Sequence, residues 1–344
     1  MRTLTVDVGS SSVKLSMFDG EARRDWQLGS VDASVMSTID TTPDVVAHRV
    51  VHGGPRLRAT TVVDDAVLAE LRANIALAPL HLPSALGWIE SSRHRWPTAR
   101  QVAVFDTALY ATLPVAAATY ALPRAVRERF GIVRYGFHGL AHASMLRALG
   151  GQWARAISFQ LGSGASVTAS RDGAAVDTSM GFSPLEGLVM ATRPGDVDPG
   201  ALVHLLRSGM SLDTLDRALE RESGLLGLAG DGDMRALLAR KDDEARLAID
   251  VYVHRARKYL GAFLAVLGGC DAIAFGGGVG EHAPAIRAAI LSGFEWAGVV
   301  VDDVANRASG SAVRRISAAD SAVAVFVTPV DEAIVLRDEA TAVR

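Results

Sequence analysis

The chain has 344 residues, which is long for one hydrophobic core and fits two domains. Its composition, 49% hydrophobic and 21% charged, is globular and argues against disorder. A net charge of −3 gives no reason to expect a nucleic acid as partner, and the single cysteine, Cys270, excludes an intramolecular disulfide. No apolar run reaches the roughly 18 residues of a membrane span and no signal peptide is visible, so we expect a soluble cytoplasmic protein without a membrane partner.

The first half of the chain predicts alternating strands and helices that begin with a hairpin. Alternating apolar residues predict strands at residues 4–8 and 13–18, joined by the turn at residues 9–12. Two further strands, at 45–51 and 102–105, flank a segment of helical spacing at 66–77.

The same pattern restarts near residue 156 and continues to the end of the chain. We expect strands at 156–161, 166–170, 272–275 and 323–327, helices at 202–206, 212–219 and 244–267, and a closing helix at 331–340. The restart predicts an N-terminal domain of residues 1–145 and a second domain of residues 146–330, with residues 331–344 returning to the first.

Three glycine-rich turns, at residues 9–12, 162–166 and 276–280, each follow an apolar strand. Glycine lets backbone N–H groups approach phosphate oxygens closely, and Lys14 adds a positive charge near the first turn. Each turn alone is as well explained by ordinary chain reversal, but three together favour phosphate binding. The common nucleotide motifs GxxxxGK[ST] and GxGxxG are absent.

Carboxylates stand at the ends of predicted elements. Asp7 precedes the first turn, Asp106 follows the strand at 102–105, and Glu332 begins the closing helix. Such residues commonly hold Mg²⁺ together with water. Glu332 alone is equally explained as a favourable acidic residue in the first turn of a helix.

Two arginines and a histidine complete the candidates. Arg49 lies within a predicted strand, where a buried cation needs an anionic partner. Arg193 lies in a turn-rich loop suited to function, although a local pair with Asp196 or Asp198 is an alternative. His138 and a second histidine four residues later lack a third ligand and make a poor zinc site.

Eight stretches in order resemble the acetate kinase family of acyl-phosphate-forming kinases, within the actin-like ATPase superfamily. They cover nearly the whole chain, which makes them far more specific than any single motif. The stretches are DVGSSSVK (7–14), HRVVHGG (48–54), LAPLHLP (77–83), VAVFDTALYATLP (102–114), YGFHGLAH (135–142), LGSGASV (161–167), MGFSPLEGLVMATRPGDVDPG (180–200) and FGGGVGEH (275–282).

The resemblance implies an α/β fold of two actin-like ATPase domains, each a ribonuclease H-like βββαβαβα unit, with the active-site cleft between them. It implies direct in-line, reversible, Mg²⁺-dependent phosphoryl transfer from ATP to acetate, giving acetyl phosphate and ADP, and a homodimer. Propionate or butyrate as acceptor and pyrophosphate as donor stay open. A silent nucleotide-binding protein is the alternative from another class.

The resemblance also implies roles for individual residues. Arg49 and Arg193 hold the carboxylate and the transferring phosphoryl group, and His138 stabilises the transition state, supported by a second histidine, His81. Asp106 belongs to the catalytic group, and the metal residues are Asp7 and Glu332. The acyl pocket is formed by Val51, Leu80, Phe137 and Pro184. The ATP-binding residues are Ser12, Lys14, Gly162, Ser163, Gly164, Gly276, Gly277, Gly278, Val279 and Gly280.

The chain departs from the family pattern near these loops. Asp7 and Ser163 stand where the family usually has asparagine, and Gln160 and Tyr110 stand where histidine is usual or frequent. These departures leave the phosphoryl donor less determined than the reaction class.

Overall fold

A computed structural model describes residues 1–9, 12–29, 36 and 39–343. Ser10 and Ser11, the centre of the first predicted glycine-rich turn, lie outside the described residues. The chain divides into two compact units. Unit 1 comprises Met1–Ala111, Phe137–Ser144 and Asp331–Arg344, and unit 2 comprises Thr112–Gly136 and Met145–Val330.

The described strands of unit 1 form one mixed sheet. They are β1 (Arg2–Val8), β2 (Val13–Asp19), β3 (Ala22–Leu28), β4 (Val45–Val50), β5 (Thr61–Val62) and β6 (Arg100–Phe105). Their order is β3-β2-β1-β4-β6-β5, in which β1, β4 and β6 run parallel. The predicted hairpin is confirmed: β1 and β2 pair antiparallel, with Val8 opposite Val13.

Helices cover both faces of this sheet, which explains why its central strands are almost continuously apolar. The helices that begin in the first 150 residues are α1 (Asp65–Ala73), α2 (Leu82–Arg95), α3 (Val115–Ala118), α4 (Arg124–Phe130) and α5 (Gly139–Leu149). Trp88 of α2 packs with Leu4 and Val6 on one face. On the other face, Leu336 of the last helix, α14 (Glu332–Ala342), packs with strands β4 and β6.

Unit 2 repeats the strand order of unit 1, when its sheet is read from β9 to β11, but it has different helices. Its strands are β7 (Arg155–Leu161), β8 (Ala165–Arg171), β9 (Ala174–Thr178), β10 (Ala272–Gly276), β11 (Arg314–Arg315) and β12 (Ala324–Val327), in the order β11-β12-β10-β7-β8-β9. Its helices are α3 and α4 together with α6 (Pro199–Arg207), α7 (Leu212–Arg217), α8 (Gly224–Ala229), α9 (Met234–Ala239), α10 (Asp243–Leu267), α11 (Gly277–His282), α12 (Pro284–Leu291) and α13 (Asp303–Arg307). No helix within the described ranges is long and apolar enough to cross a membrane.

Two details differ from the sequence prediction. Residues 112–136, predicted within the first domain, belong to unit 2 because the guanidinium of Arg134 pairs with Glu186 at 2.6 Å and donates to the carbonyl of Met180. The glycine-rich residues 276–280 are also more than a turn, since α11 begins at Gly277 directly after β10.

Three histidines lie buried in unit 1. Burial lowers the pKa of His48 and of His52 to about 4, and that of His142 to about 3. The ring of His48 lies 2.9 Å from the side-chain oxygen of Gln101, a contact that only partly offsets the cost of charging a buried imidazole. The fold of unit 1 therefore holds these rings neutral.

We expect acid to destabilise the protein below about pH 6.5, where the histidines of the unfolded chain bind protons and the buried ones do not. The unfolded chain binds a proton on each histidine near pH 6.5, whereas folded His48 does so only near pH 4, so stability falls as the pH drops between these values. Between pH 7 and pH 5, the unfolding free energy of His48→Gln should fall by about 2 kcal/mol less than that of the wild type. Urea unfolding at both pH values measures it.

The matched control is His94→Gln, because His94 is exposed on α2 of the same unit. That variant should keep the wild-type pH slope. If His48→Gln had the same pH slope as the wild type, burial would not lower the pKa of His48 as predicted.

Candidate functional site: a carboxylate-ringed arginine and a nucleotide-sized cavity

Four charged residues meet at the carboxyl ends of the parallel strands of unit 1. Asp7 lies near the end of β1, Arg49 near the end of β4, and Asp106 directly after β6. Glu332 is the first residue of α14. Parallel strands end at the same edge of a sheet, which is where ligands bind in open α/β folds. The sequence prediction named all four residues, and the structure brings them together.

The guanidinium of Arg49 is the centre of this cluster. Its Nη2 donates to Oδ2 of Asp106 at 2.7 Å and its Nε to Oδ1 at 3.1 Å, so both carboxylate oxygens of Asp106 are engaged. Its Nη1 lies 2.8 Å from Oδ1 of Asp7 and 4.0 Å from Oε2 of Glu332. Such fork-to-fork geometry fixes orientation as well as charge.

The cluster carries more negative than positive charge. Burial by itself lowers the pKa of Arg49, but the carboxylates of Asp106, Glu332 and Asp7 together raise it well above the ordinary value. Burial, with repulsion from Asp7 and Asp106, raises the pKa of Glu332 to about 7, although Arg49 acts in the opposite direction. Three acidic groups around one guanidinium leave negative charge that further positive charge would stabilise.

The backbone around Asp106 is held on both sides. Its N–H donates to the carbonyl of Val50, and its own carbonyl accepts from the N–H of Gly139, both at 3.0 Å. A Cβ at residue 139 would lie 2.2 Å from that carbonyl, so only glycine allows this close approach. The start of α5 is thereby fixed next to the charged cluster.

His138, the residue before Gly139, has a left-handed backbone with φ +58°. This conformation is costly for a residue with a Cβ and is often found at functional sites. The preceding Phe137 is buried, and its carbonyl accepts from the hydroxyl of Tyr110 at 2.9 Å. The chain is therefore held in a strained turn that presents an imidazole.

The remaining predicted residues of unit 1 lie close to these elements in the chain. Val51 follows β4, and His81 is the N-cap residue of α2. Leu80, predicted in the acyl pocket, is 42% exposed. Lys14 lies opposite Asp7 in the β1–β2 register, and the carbonyl of Ser12 accepts from the N–H of Gly9 at 2.8 Å.

Unit 2 contains a cavity of about 520 Å³ whose wall includes two of the predicted phosphate loops. Gly162 and Ser163 lie in the β7–β8 turn, and Gly278 and Val279 lie in the first turn of α11. The wall is completed by Ala191, Leu225, Gly232, Asp233, Met234, Arg235, Tyr252, His282 and Ala283.

The two loops approach each other closely at Gly277. Its φ is +76°, and a Cβ there would lie 2.7 Å from the carbonyl of Leu161 and 2.9 Å from the side-chain nitrogen of Gln160. The side-chain oxygen of Gln160 is buried without a hydrogen-bond partner among the described residues. Gly276 and Gly280 are buried in the same junction, while Gly162 N–H donates to Gly164 across the other loop at 3.0 Å.

The sequence prediction missed the segment of residues 232–235 in this wall. Asp233 caps α9 by accepting from the backbone N–H of Arg235 at 2.9 Å. The run Gly230-Asp231-Gly232-Asp233 before a helical segment is the signal that could have marked it, because glycine and aspartate favour such a helix entry. It lacks the preceding apolar strand by which the other loops were recognised.

Arg193 does not pair with either of the nearby aspartates, Asp196 and Asp198, that the sequence offers as partners. Its Nε lies 3.3 Å from Glu220, and its Nη1 lies 3.5 Å from the carbonyl of Pro184. Asp196 instead pairs with Arg255 at 2.7 Å, and Asp198 caps α6. Burial lowers the pKa of Arg193, and Glu220 opposes that effect. The alternative of a local pair with Asp196 or Asp198 is excluded, because both aspartates have other partners.

A cluster of three or more His, Cys, Asp or Glu side chains suited to a metal does not occur among the described residues. Mg²⁺ does not require one, because it commonly binds to one or two carboxylates together with water and phosphate oxygens. The excess negative charge of the Arg49 cluster fits that mode of binding.

One unit has a charged strand edge and the other has glycine-rich loops around a cavity, and phosphoryl transfer needs both fixed charge and a bound phosphate donor. The family model of the acetokinase family matches residues 31–338. A curated acetate kinase of Streptomyces avermitilis is 48% identical over 297 residues, which are 83% of this chain and 73% of that relative. The chain belongs to the acetokinase family.

Solved structures agree with this assignment. The acetate kinase of Porphyromonas gingivalis superposes with a TM-score of 0.90 at 30% identity, over 99% of both chains. A propionate kinase of Francisella tularensis superposes with a TM-score of 0.89 at 31% identity, also over 99% of both. The predicted family and fold class are confirmed, and the chain is a phosphotransferase with a carboxyl group as acceptor.

Because the backbone of His138 is left-handed, substitutions at this residue can separate the effect of backbone strain from the effect of losing the imidazole. Glycine at residue 138 relieves the strain, so His138→Gly should exceed His138→Ala in unfolding free energy by about 1 kcal/mol. Both variants lack the imidazole, and turnover should fall about 100-fold or more in each. Urea unfolding and an acyl phosphate assay measure the two effects.

Asp172 provides the control, since it is the other described non-glycine residue with positive φ, at +51°. Asp172→Gly and Asp172→Ala should show a similar stability difference with unchanged turnover. Wild-type turnover in His138→Gly would mean that residue 138 serves the backbone alone.

Proposed function

We propose that this protein transfers the γ-phosphoryl group of ATP to acetate, giving acetyl phosphate and ADP, and catalyses the reverse reaction. The observation that carries this proposal is the engagement of both oxygens of Asp106 by Arg49. A carboxylate held in this way is poorly placed to act as the general base that a hydroxyl acceptor would need. A carboxylic acid is already ionised at pH 7 and needs none.

The chemical difficulty is then electrostatic. An anionic acceptor must approach an anionic phosphoryl group, and charge builds up on the oxygens of a loose transition state. Arg49 is oriented by Asp106 and Asp7 to attract the acceptor carboxylate, while Arg193 and His138 supply positive charge and a donor to the phosphoryl group. These three roles are the ones that the family resemblance implies for these positions.

The cavity of unit 2 supports ATP rather than pyrophosphate as donor. Its volume of about 520 Å³ suits a nucleoside in addition to phosphates, and pyrophosphate would leave most of it unfilled. The loops at Gly162–Gly164 and Gly276–Gly280 would bind the phosphate groups through backbone N–H groups. Asp233, Met234 and Tyr252 would then form part of the nucleoside wall.

Acetate is the acceptor named for the curated relative, but propionate is a specific second candidate. The propionate kinase structure resembles this chain as closely as the acetate kinase structure does. One methylene changes the transition-state energy by only about 1–3 kcal/mol, so the choice rests on the acyl pocket. Val51, Leu80, Phe137 and Pro184 are the residues that the family resemblance implies for it.

Mg²⁺ is the proposed cofactor, and Asp7 and Glu332 are the residues that would hold it, directly or through water. When bound, it would offset the negative charge of the donor phosphates. Asp106 orients Arg49 in this arrangement, and Lys14 adds positive charge beside Asp7. From the family resemblance we also propose a homodimer in the cytoplasm.

The direct test traps the acyl phosphate with hydroxylamine, using Mg²⁺ with ATP or pyrophosphate as donor and acetate, propionate or butyrate as acceptor. We expect product with ATP and the highest kcat/KM with acetate. Product with pyrophosphate alone would change the donor. If no combination of donor and acceptor gives product and the folded protein still binds ATP, the result would support a silent nucleotide-binding protein.

Arg193→Gln tests the proposed role of this arginine. Turnover should fall by about 100-fold or more, because the charge acts mainly in the transition state, while ATP affinity changes little. The control is Arg217→Gln, which breaks the exposed pair with Glu222 in the same unit and should have no effect. Unchanged turnover in Arg193→Gln would contradict the proposed mechanism.

Asp7→Asn tests the metal assignment. Asparagine can still accept from Arg49, and the family usually carries it, so turnover at saturating Mg²⁺ should remain. Removal of one carboxylate should raise the Mg²⁺ concentration for half-maximal activity by about 10-fold. Asp25→Asn, at an exposed carboxylate on β3, is the control. An unchanged Mg²⁺ requirement in Asp7→Asn would remove Asp7 from the metal site.

A further inference from the structure

A second cavity of unit 2, of about 370 Å³, is lined by three arginines. Arg287 belongs to α12, Arg307 ends α13, and Arg314 begins β11. The segment of residues 308–311 completes one side and contributes two serines and a glycine. Apart from His282 and the neighbouring end of α11, its wall is distinct from that of the nucleotide-sized cavity.

Arg287 is a buried cation whose hydrogen bonds all go to uncharged groups. It is 1% exposed. Its Nε donates to the side-chain oxygen of Asn306 at 2.8 Å, and its Nη1 donates to the carbonyls of Gly280 and Glu281 at 2.8 and 3.0 Å. Within the described part of the chain, it forms no ion pair with a carboxylate. A buried charge without a counterion is costly.

Arg314 repeats this situation beside it. Its Nη1 and Nη2 donate to the carbonyls of Gly310 and Glu281, each at 3.3 Å. Its Nε is buried and has no hydrogen-bond partner among the described residues. An unpaired charged donor at a cavity wall marks a position where an acceptor would be stabilised.

The other charged groups of the wall do not balance these two. Arg307 adds a third guanidinium, with Asp303 as a distant exposed partner at 3.9 Å. Glu281 is the carboxylate of the wall, and its Oε1 accepts from the backbone N–H groups of Gly277 and Val330. Burial and the charge of Arg314 together lower the pKa of Arg287 to about 10. The cavity therefore has a positive potential.

We propose that this cavity is a binding site for a small polyanion, a molecule that carries two or more negative charges on carboxylate or phosphate groups. Arg314 and Arg287 supply positive charge, Arg307 adds a third guanidinium at the wall, and Ser309 and Ser311 supply hydroxyl groups. Guanidinium groups recognise the planar oxygens of carboxylates and phosphates alike. This site goes beyond the proposed kinase reaction, because its wall shares only His282 with the nucleotide-sized cavity and contains none of the residues proposed for the acyl pocket.

The test is calorimetric titration of the intact protein with citrate and, separately, with inorganic phosphate. Metal is omitted, ADP is saturating to fill the nucleotide site, and chloride keeps the ionic strength constant. We expect a dissociation constant below about 1 mM for at least one probe. Binding of citrate alone would identify a polycarboxylate site, and binding of phosphate alone would identify a phosphate site.

Arg314→Gln and Arg315→Gln form a matched pair on β11. Arg315 bonds to Ser317 and Ala318 and lies outside the cavity wall. Arg314→Gln should weaken binding by about 10- to 100-fold, while Arg315→Gln should not. Circular dichroism and kinase activity, expected to be unchanged, show that both variants are folded.

Two results would overturn the proposal. The first is no binding of either probe by the wild-type protein. The second is equal binding by the wild-type protein and Arg314→Gln, which would place the anion elsewhere. Neither result depends on the kinase assay, so the proposed reaction and the polyanion site stand or fall separately.

Discussion

The charged end of unit 1 depends on one constraint: a guanidinium at a buried strand edge must be surrounded by acceptors. Arg49 meets it with Asp106 from the next strand, Asp7 from the strand on its other side and Glu332 from the C-terminal helix. The ion pairs join segments that are far apart in the chain. The same residues that stabilise this edge therefore also bring α14 back onto the sheet.

This constraint also bears on the proposed chemistry. Because Asp106 is engaged in orienting Arg49, the contribution that we propose for the cluster is positioned charge and not proton removal. Three carboxylates around one guanidinium agree with the proposed Mg²⁺, since a divalent cation and the phosphate groups of a nucleotide would each offset charge that the other introduces.

The sequence predicted the parts whose signal is local, and it missed those that depend on distant partners. The central strands were found because both faces are buried, which leaves an apolar run between turn residues. Arg49 was expected to need an anionic partner, but no spacing in the sequence could show that Asp106 would accept from both its Nε and its Nη2. Arg193 was compared with the nearby Asp196, whereas its partner Glu220 lies in a later helical turn. Residues 112–136 were misplaced for the same reason, because distant contacts such as those of Arg134 and Tyr120 with Glu186 tie them to unit 2.

The two units show that topology and chemistry are set separately. Their sheets have the same strand order, and β4 of unit 1 corresponds to β10 of unit 2 as the neighbour of the first strand. At the carboxyl ends of these strands, unit 1 places Arg49 and unit 2 places Gly276. A charged side chain attracts an anion from a distance, whereas glycine lets backbone N–H groups contact phosphate directly. A duplicated fold could thus divide phosphoryl transfer between an acceptor side and a donor side by changing a few residues at equivalent strand ends.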